Sequence, residues 1–229
     1  MDVPFMEEGE IRAAAREMRR AAFGSEPAYP IDVEALIFDH LYEEHGLALY
    51  NDKLLGREDE QDVLGVTYPL ENEIHVDRRL AEQGHRGRYR FTVAHELGHW
   101  RLHRPLFLEQ NGAEAENGDA RIVTFERDVV ESKETYRPEE WQANCFAIWL
   151  LLGDPALDEQ FRRRFGEPPF EVGEGFPKEA DEPMRSVSRA LAATPKEGLE
   201  PLHAHFDLSV EATAIALEER GYVEGPLGD

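Results

Sequence analysis

The segment Arg90-Phe91-Thr92-Val93-Ala94-His95-Glu96-Leu97-Gly98-His99-Trp100 sets the reading of the whole chain. His95 and His99 stand four apart, so on a helix they lie one turn apart on the same face. Neutral imidazoles at that spacing can each place a nitrogen about 2.0–2.1 Å from one zinc ion. Glu96 follows the first histidine directly. It can lean over a metal without joining its ligands, take a proton from attacking water and hand it to a leaving amine. The HExxH pattern arises by chance in many chains, and its surroundings here add weight. Phe91, Val93, Ala94, Leu97, Trp100 and Leu102 make the helix apolar and mostly buried. Two histidines and a glutamate are costly to bury there without a purpose. The helix is expected from about Gly87 to His103, ending at Arg104-Pro105.

A catalytic zinc normally takes three protein ligands. The best third ligand is Glu140, in Pro138-Glu139-Glu140-Trp141-Gln142-Ala143-Asn144, because it shares the helical face of Ala143, Ala147 and Leu151. Glu139 competes but falls about 100° around the helix. Asn144, one turn further on, can accept the N–H of a ligating histidine. His103 would have to reach back past His99 to join the metal, and reads as structural or as an oxyanion-stabilising group near the rim. Tyr68, Arg88 and Arg90 are the other candidates for that oxyanion donor. His75 and His85 have no marking spacing. Cys145 reads as packing, and Trp141, Phe146 and Trp149 read as core aromatics.

Around this centre the expected order is a helix over Glu7 to Ala22, then a second over Ile31 to Glu44 capped by Asp32 and stopped by Gly46. Strands are expected at Leu47 to Tyr50, Val63 to Tyr68 and Ile74 to Val76. The turn Leu70-Glu71-Asn72-Glu73 suggests a small antiparallel hairpin or meander. Residues 109–137 read as an acidic insertion: a lid, a docking surface or a decorated loop. The expected fold class is α+β, a helical core with a small antiparallel sheet. The division is a core over 1–155, a Pro/Gly-rich linker or draped loop over 156–185, and a helical extension over 186–229 packed on the core.

Forty-eight acidic residues face 25 basic ones, a formal charge of −23. Nucleic-acid binding needs a basic footprint, so direct DNA contact is not expected as the main activity. The charge fits solubility, adaptation to high salt (only four basic residues are lysines) or a basic protein partner. One cysteine leaves no internal disulfide and fits a reducing compartment. With no basic-then-apolar leader and no run near the ~20 apolar residues of a membrane helix, a cytoplasmic protein with no membrane contact is expected.

The pairing of Arg90-Phe91-Thr92-Val93-Ala94-His95-Glu96-Leu97-Gly98-His99 with Glu140-Trp141-Gln142-Ala143-Asn144-Cys145-Phe146-Ala147 resembles the ImmA/IrrE family of metallopeptidases. The resemblance extends to Ile31-Asp32-Val33-Glu34 and the small strands, covering roughly residues 8 to 155 and, more faintly, the C-terminal helices. It implies a zincin-like core, with zinc on His95, His99 and Glu140 and catalysis by Glu96. It also implies cleavage of a helix-turn-helix repressor in stress-response or mobile-element regulation. The competing class is a metal-dependent regulatory binding module without turnover. The segment from Leu202 to Val223 looks superficially like half a helix-turn-helix. Its second helix offers Glu211, Thr213, Glu218 and Glu219 where a DNA reader wants Arg, Lys, Asn or Gln.

Overall fold

Strand β3 (Gln61–Tyr68) is the spine of the sheet, and Val63 through Thr67 are buried along its length. A computed structural model describes residues 3–24, 28–82, 86–111, 121–125, 137–171, 183–196 and 198–225. It shows a mixed α/β protein with a small sheet, dividing into units at Leu151/Leu152.

In the first unit the sheet order is β1 (Ala48–Tyr50), β4 (Glu73–Val76), β3, β2 (Arg57–Glu58), with β5 (Ile122–Phe125) also pairing with β3. The β3–β4 hairpin is antiparallel, as expected from the Leu70–Glu73 turn, with Thr67 opposite Ile74. The sheet is not wholly antiparallel, however: β1 runs parallel to β4. The reason is local. Ala48 N–H donates to the Asn72 carbonyl at 2.9 Å and the Asn72 side chain donates to the His45 carbonyl at 2.8 Å, tying the starts of both strands together.

The first helix (Glu8–Phe23) buries Ile11, Ala15 and Met18, a stripe at helical spacing. The second helical segment covers residues 33–45 and is π-helical over Leu36–Leu41. Asp32 caps it as expected, its carboxylate accepting from the N–H groups of Glu34 and Ala35. Gly46 ends it with φ 70°, a conformation that glycine adopts without penalty.

The motif helix (Arg86–Gly98) passes through a π-helical stretch (His99–His103) into a further helix (Arg104–Asn111). Arg104-Pro105 therefore does not stop it. Pro105 lies in the first turn of the new segment, where a missing N–H is tolerated, and the wide turn before it relieves the usual proline crowding. The glutamate helix (Pro138–Leu152) opens on Pro138 and is buried nearly all round from Ala143 onward.

In the second unit, the expected linker over 156–185 begins instead within a helix, Asp154–Phe165, which buries Leu157 and Phe161. Pro155 sits in its first turn, where proline starts a helix rather than breaking one. Strand β6 (Phe170–Glu171) pairs in parallel with β7 (Val223–Glu224). The helices Pro183–Ala193 and Val210–Glu219 are clamped by Arg185, which meets both Glu211 and Glu218 at 2.8 Å. Most of the acidic insertion expected over 109–137 lies outside the described residues, as does His85. Among the described residues no helix is long and apolar enough to cross a membrane.

Candidate metal centre

The motif helix and the glutamate helix meet with nothing between their backbones. A Cβ at Gly98 would lie 2.9 Å from the Ala143 Cα. Any larger residue at 98 would hold the helices apart. This close approach brings His95 and His99, on one helix, to Glu140 and Asn144 on the other.

The three expected ligands converge. His95 Nε2 and His99 Nε2 are 2.9 Å apart. Glu140 Oε2 lies 3.2 Å from the first and 3.5 Å from the second. Ligands of a tetrahedral zinc at 2.0–2.1 Å stand about 3.4 Å from one another, so this triangle needs little adjustment to hold the ion. Both histidines are fully buried and Glu140 nearly so. No other His, Cys, Asp or Glu group among the described residues gathers in this way.

Donor chemistry also fits a cation. His95 Nδ1 lies 2.9 Å from Asn144 Oδ1, where the ring N–H donates to the amide oxygen. A neutral His95 then presents a bare lone pair at Nε2. That lone pair faces a carboxylate and a second imidazole nitrogen. Only a proton or a metal ion can sit at such a convergence without repulsion. Glu139 lies outside this group; its carboxylate pairs with Arg137 at 3.1 Å, and Arg137 also reaches the outer oxygen of Glu140, Oε1, at 3.4 Å.

Glu96 is fully buried beside this triangle. Its Oε2 accepts a 2.6 Å hydrogen bond from the Thr67 hydroxyl on β3, while Oε1 makes no close hydrogen bond and the Thr124 hydroxyl of β5 also acts on the carboxylate. A Cβ at Gly65 would come within 2.2 Å of that same Oε1. Gly65 and Thr67 share one face of β3, so the strand both makes room for the carboxylate and holds it.

Burial pushes the Glu96 carboxyl above the ordinary carboxylate range, against the opposing pull of His99, His95 and the hydroxyls of Thr67 and Thr124. Burial likewise works to raise Glu140. It is outweighed by the nearness of His99 and His95 and the hydrogen bonds from both, leaving Glu140 well below its ordinary value. For His95, burial favours the neutral ring, and Glu140 overrides it, so the pKa is raised. Burial and the neighbouring His99 push His103 down to about 3, keeping it neutral.

A pH dependence follows with a definite sign. In metal-free protein His95 keeps its proton above the ordinary histidine value, and an incoming metal must displace it. Zinc affinity is therefore expected to rise with pH from the ordinary histidine value up through the raised His95 value, with net proton release. Calorimetric titration in buffers of different ionisation enthalpy measures this; binding without proton release across that range would contradict it.

Of the residues considered for an oxyanion donor, His103 is fully buried and bonded to His99 Nδ1 and Gln142, so it is not at a rim. Arg90 is buried and donates to the Ile31 carbonyl. Tyr68 packs edge-on against His75, with ring centres 4.9 Å apart, and Arg88 is half-buried. Of these four, His103 touches a member of the triangle, through His99 Nδ1. Thr67, Gly65 and Gln142 were not anticipated. A glycine inside a strand signals a close approach, and Gly65 carried that signal. Neither a protein-family model nor a curated protein sequence matches this chain.

Proposed function

We propose that this chain is a zinc-dependent metallopeptidase with a zincin-like core, acting on an intracellular protein. The observation that carries this is the buried His95–His99–Glu140 triangle with the buried Glu96 carboxylate beside it. A site that only held a metal for stability has no use for a further buried carboxylate beside its three ligands. Zinc, when bound, supplies Lewis acidity to polarise a carbonyl and acidify water. His95, His99 and Glu140 hold it. Glu96 accepts the proton of the attacking water at Oε1 and returns it to the amine of the cleaved peptide bond. Its raised pKa suits a group that both takes up and gives back a proton.

For the substrate, the resemblance to ImmA/IrrE proteins suggests a helix-turn-helix repressor, and the formal charge of −23 complements such a partner's basic DNA-binding face.

The test is a peptide library made from cytosolic protein, incubated with zinc-loaded chain and read by mass spectrometry for new termini. Cleavage should vanish with chelator and return with zinc. Stoichiometric zinc with every peptide and repressor left intact would move the conclusion to a regulatory binding module.

Gly65→Ala tests the placement of Glu96 separately. The new methyl would occupy the space of Oε1, turning the carboxylate away while leaving the three ligands in place. Zinc content should be unchanged and kcat/KM should fall about 10²-fold, the scale of an ångström's misplacement. Wild-type turnover in this variant would show that Glu96 does not work from the observed position.

A further inference from the structure

His99 is backed by a chain of hydrogen bonds that runs away from the triangle and ends on a main-chain carbonyl. His99 Nδ1 lies 3.0 Å from His103 Nδ1, His103 Nε2 lies 3.0 Å from Gln142 Oε1, and Gln142 Nε2 lies 2.8 Å from the Pro4 carbonyl. His99, His103 and Gln142 are all fully buried.

The direction of every hydrogen in this chain can be deduced from its far end. A carbonyl oxygen only accepts, so the Pro4 oxygen fixes the Gln142 NH₂ toward itself. The Gln142 Oε1 is then turned to His103, and must accept. His103 therefore carries its hydrogen on Nε2, leaving Nδ1 as a lone pair in the neutral ring. His99 must donate from Nδ1 to that lone pair. A neutral His99 with Nδ1–H has its free pair on Nε2, the nitrogen that faces His95 and Glu140.

We infer that His103 is a positioning residue for the metal centre: with Gln142 and the Pro4 carbonyl it locks His99 in the tautomer and ring orientation that present Nε2 to the metal. This rests on the metal-site reading above. The N-terminal segment is thereby part of the support of the centre. Its hold is supplied by Val3, buried, and by Phe5, whose ring stacks on Trp141 at 6.1 Å and 7°. His95 has its own, separate support in Asn144. The two ligands of the motif helix are thus oriented by partners on one helix, Gln142 through His103 and Asn144 directly.

The first measurement is the histidine side-chain nitrogen spectrum of wild-type protein, with and without zinc. Nδ1 of His99 is expected to be the protonated ring nitrogen in both, and Nε2 of His103 likewise. A protonated Nε2 on His99 in the zinc form, or a hydrogen on Nδ1 of His103, overturns the inference with no variant made. The second measurement is zinc affinity by competition with a chromophoric chelator, together with the visible spectrum of the cobalt form. His103→Leu should weaken zinc binding about 10–100-fold and alter the cobalt spectrum, as removal of an outer partner does. His103→Asn, whose Oδ1 can replace the Nδ1 acceptor, should recover most of the affinity. Gln142→Leu serves if His103→Leu does not fold, and should also weaken zinc. Wild-type affinity in folded His103→Leu or Gln142→Leu overturns the inference while leaving the metal reading intact. Failure of the metal reading is a different result: wild type itself takes up no zinc.

Discussion

Glu140→Ala is expected to hold zinc more than about 100-fold less tightly than wild type, while Glu139→Ala holds it unchanged. Loss of an outer partner of a metal ligand weakens binding by about 10–100-fold. Glu140 stands inside that shell, its Oε2 within 3.5 Å of both imidazole nitrogens. It is also the only carboxylate in the triangle, so its removal leaves a divalent ion buried between two neutral rings. Glu139, one residue away, is not in the triangle; Arg137 pairs with it at 3.1 Å and also reaches Glu140 Oε1 at 3.4 Å. The variant should change the proton chemistry as well. Glu140 is what holds the His95 pKa up against burial. Without it, burial prevails and His95 titrates below its wild-type value. Elemental analysis and chelator competition read the metal, and nitrogen spectra read His95. Stoichiometric, tight zinc in Glu140→Ala would remove it from the ligand set.

The contrast between the two neighbouring glutamates shows which parts of this molecule sequence can convey. Helical periodicity is local, so the face shared by Glu140, Ala143 and Ala147 and the one-turn spacing of His95 and His99 could be read directly. The pairing of Asn144 with His95 follows from the same periodicity. What brings the two helices together is not local. Gly98 reads in sequence as one small residue in a motif, and its contact with the Ala143 backbone is apparent only when the helices cross. The Glu96–Thr67 bond joins residues 29 apart and the Gln142–Pro4 bond joins residues 138 apart. No periodicity announces either. Proline misleads at one position. Pro105 reads as a breaker, yet it lies in the first turn of a helical segment, where the following residues decide the outcome, just as Pro155 opens Asp154–Phe165. The parallel β1–β4 pair was hidden because its register depends on Asn72 reaching back to His45, outside either strand.

Glu96→Gln is expected to keep zinc at wild-type stoichiometry and lower kcat by about 10²–10⁴, the range that a positioned acid–base group supplies. Glutamine has nearly the same shape, and His95, His99 and Glu140 are untouched, so the metal has no reason to leave. The Thr67 hydroxyl can still donate, now to the amide oxygen, in place of its 2.6 Å bond to the carboxylate. That leaves the NH₂ at the position of Oε1, where an acceptor of a proton is replaced by a donor. Stability supplies an independent check in metal-free protein. The folded pKa of Glu96 is raised, so its contribution is most favourable below the ordinary carboxylate value and is lost as pH rises through the folded value. An uncharged glutamine escapes that loss. Metal-free Glu96→Gln should therefore unfold at higher denaturant than wild type near pH 8, with the difference shrinking toward acid pH. Slower turnover together with greater stability would mark Glu96 as a group kept for chemistry at the expense of the fold. Undiminished cleavage by the glutamine variant would instead assign the proton transfer to another residue.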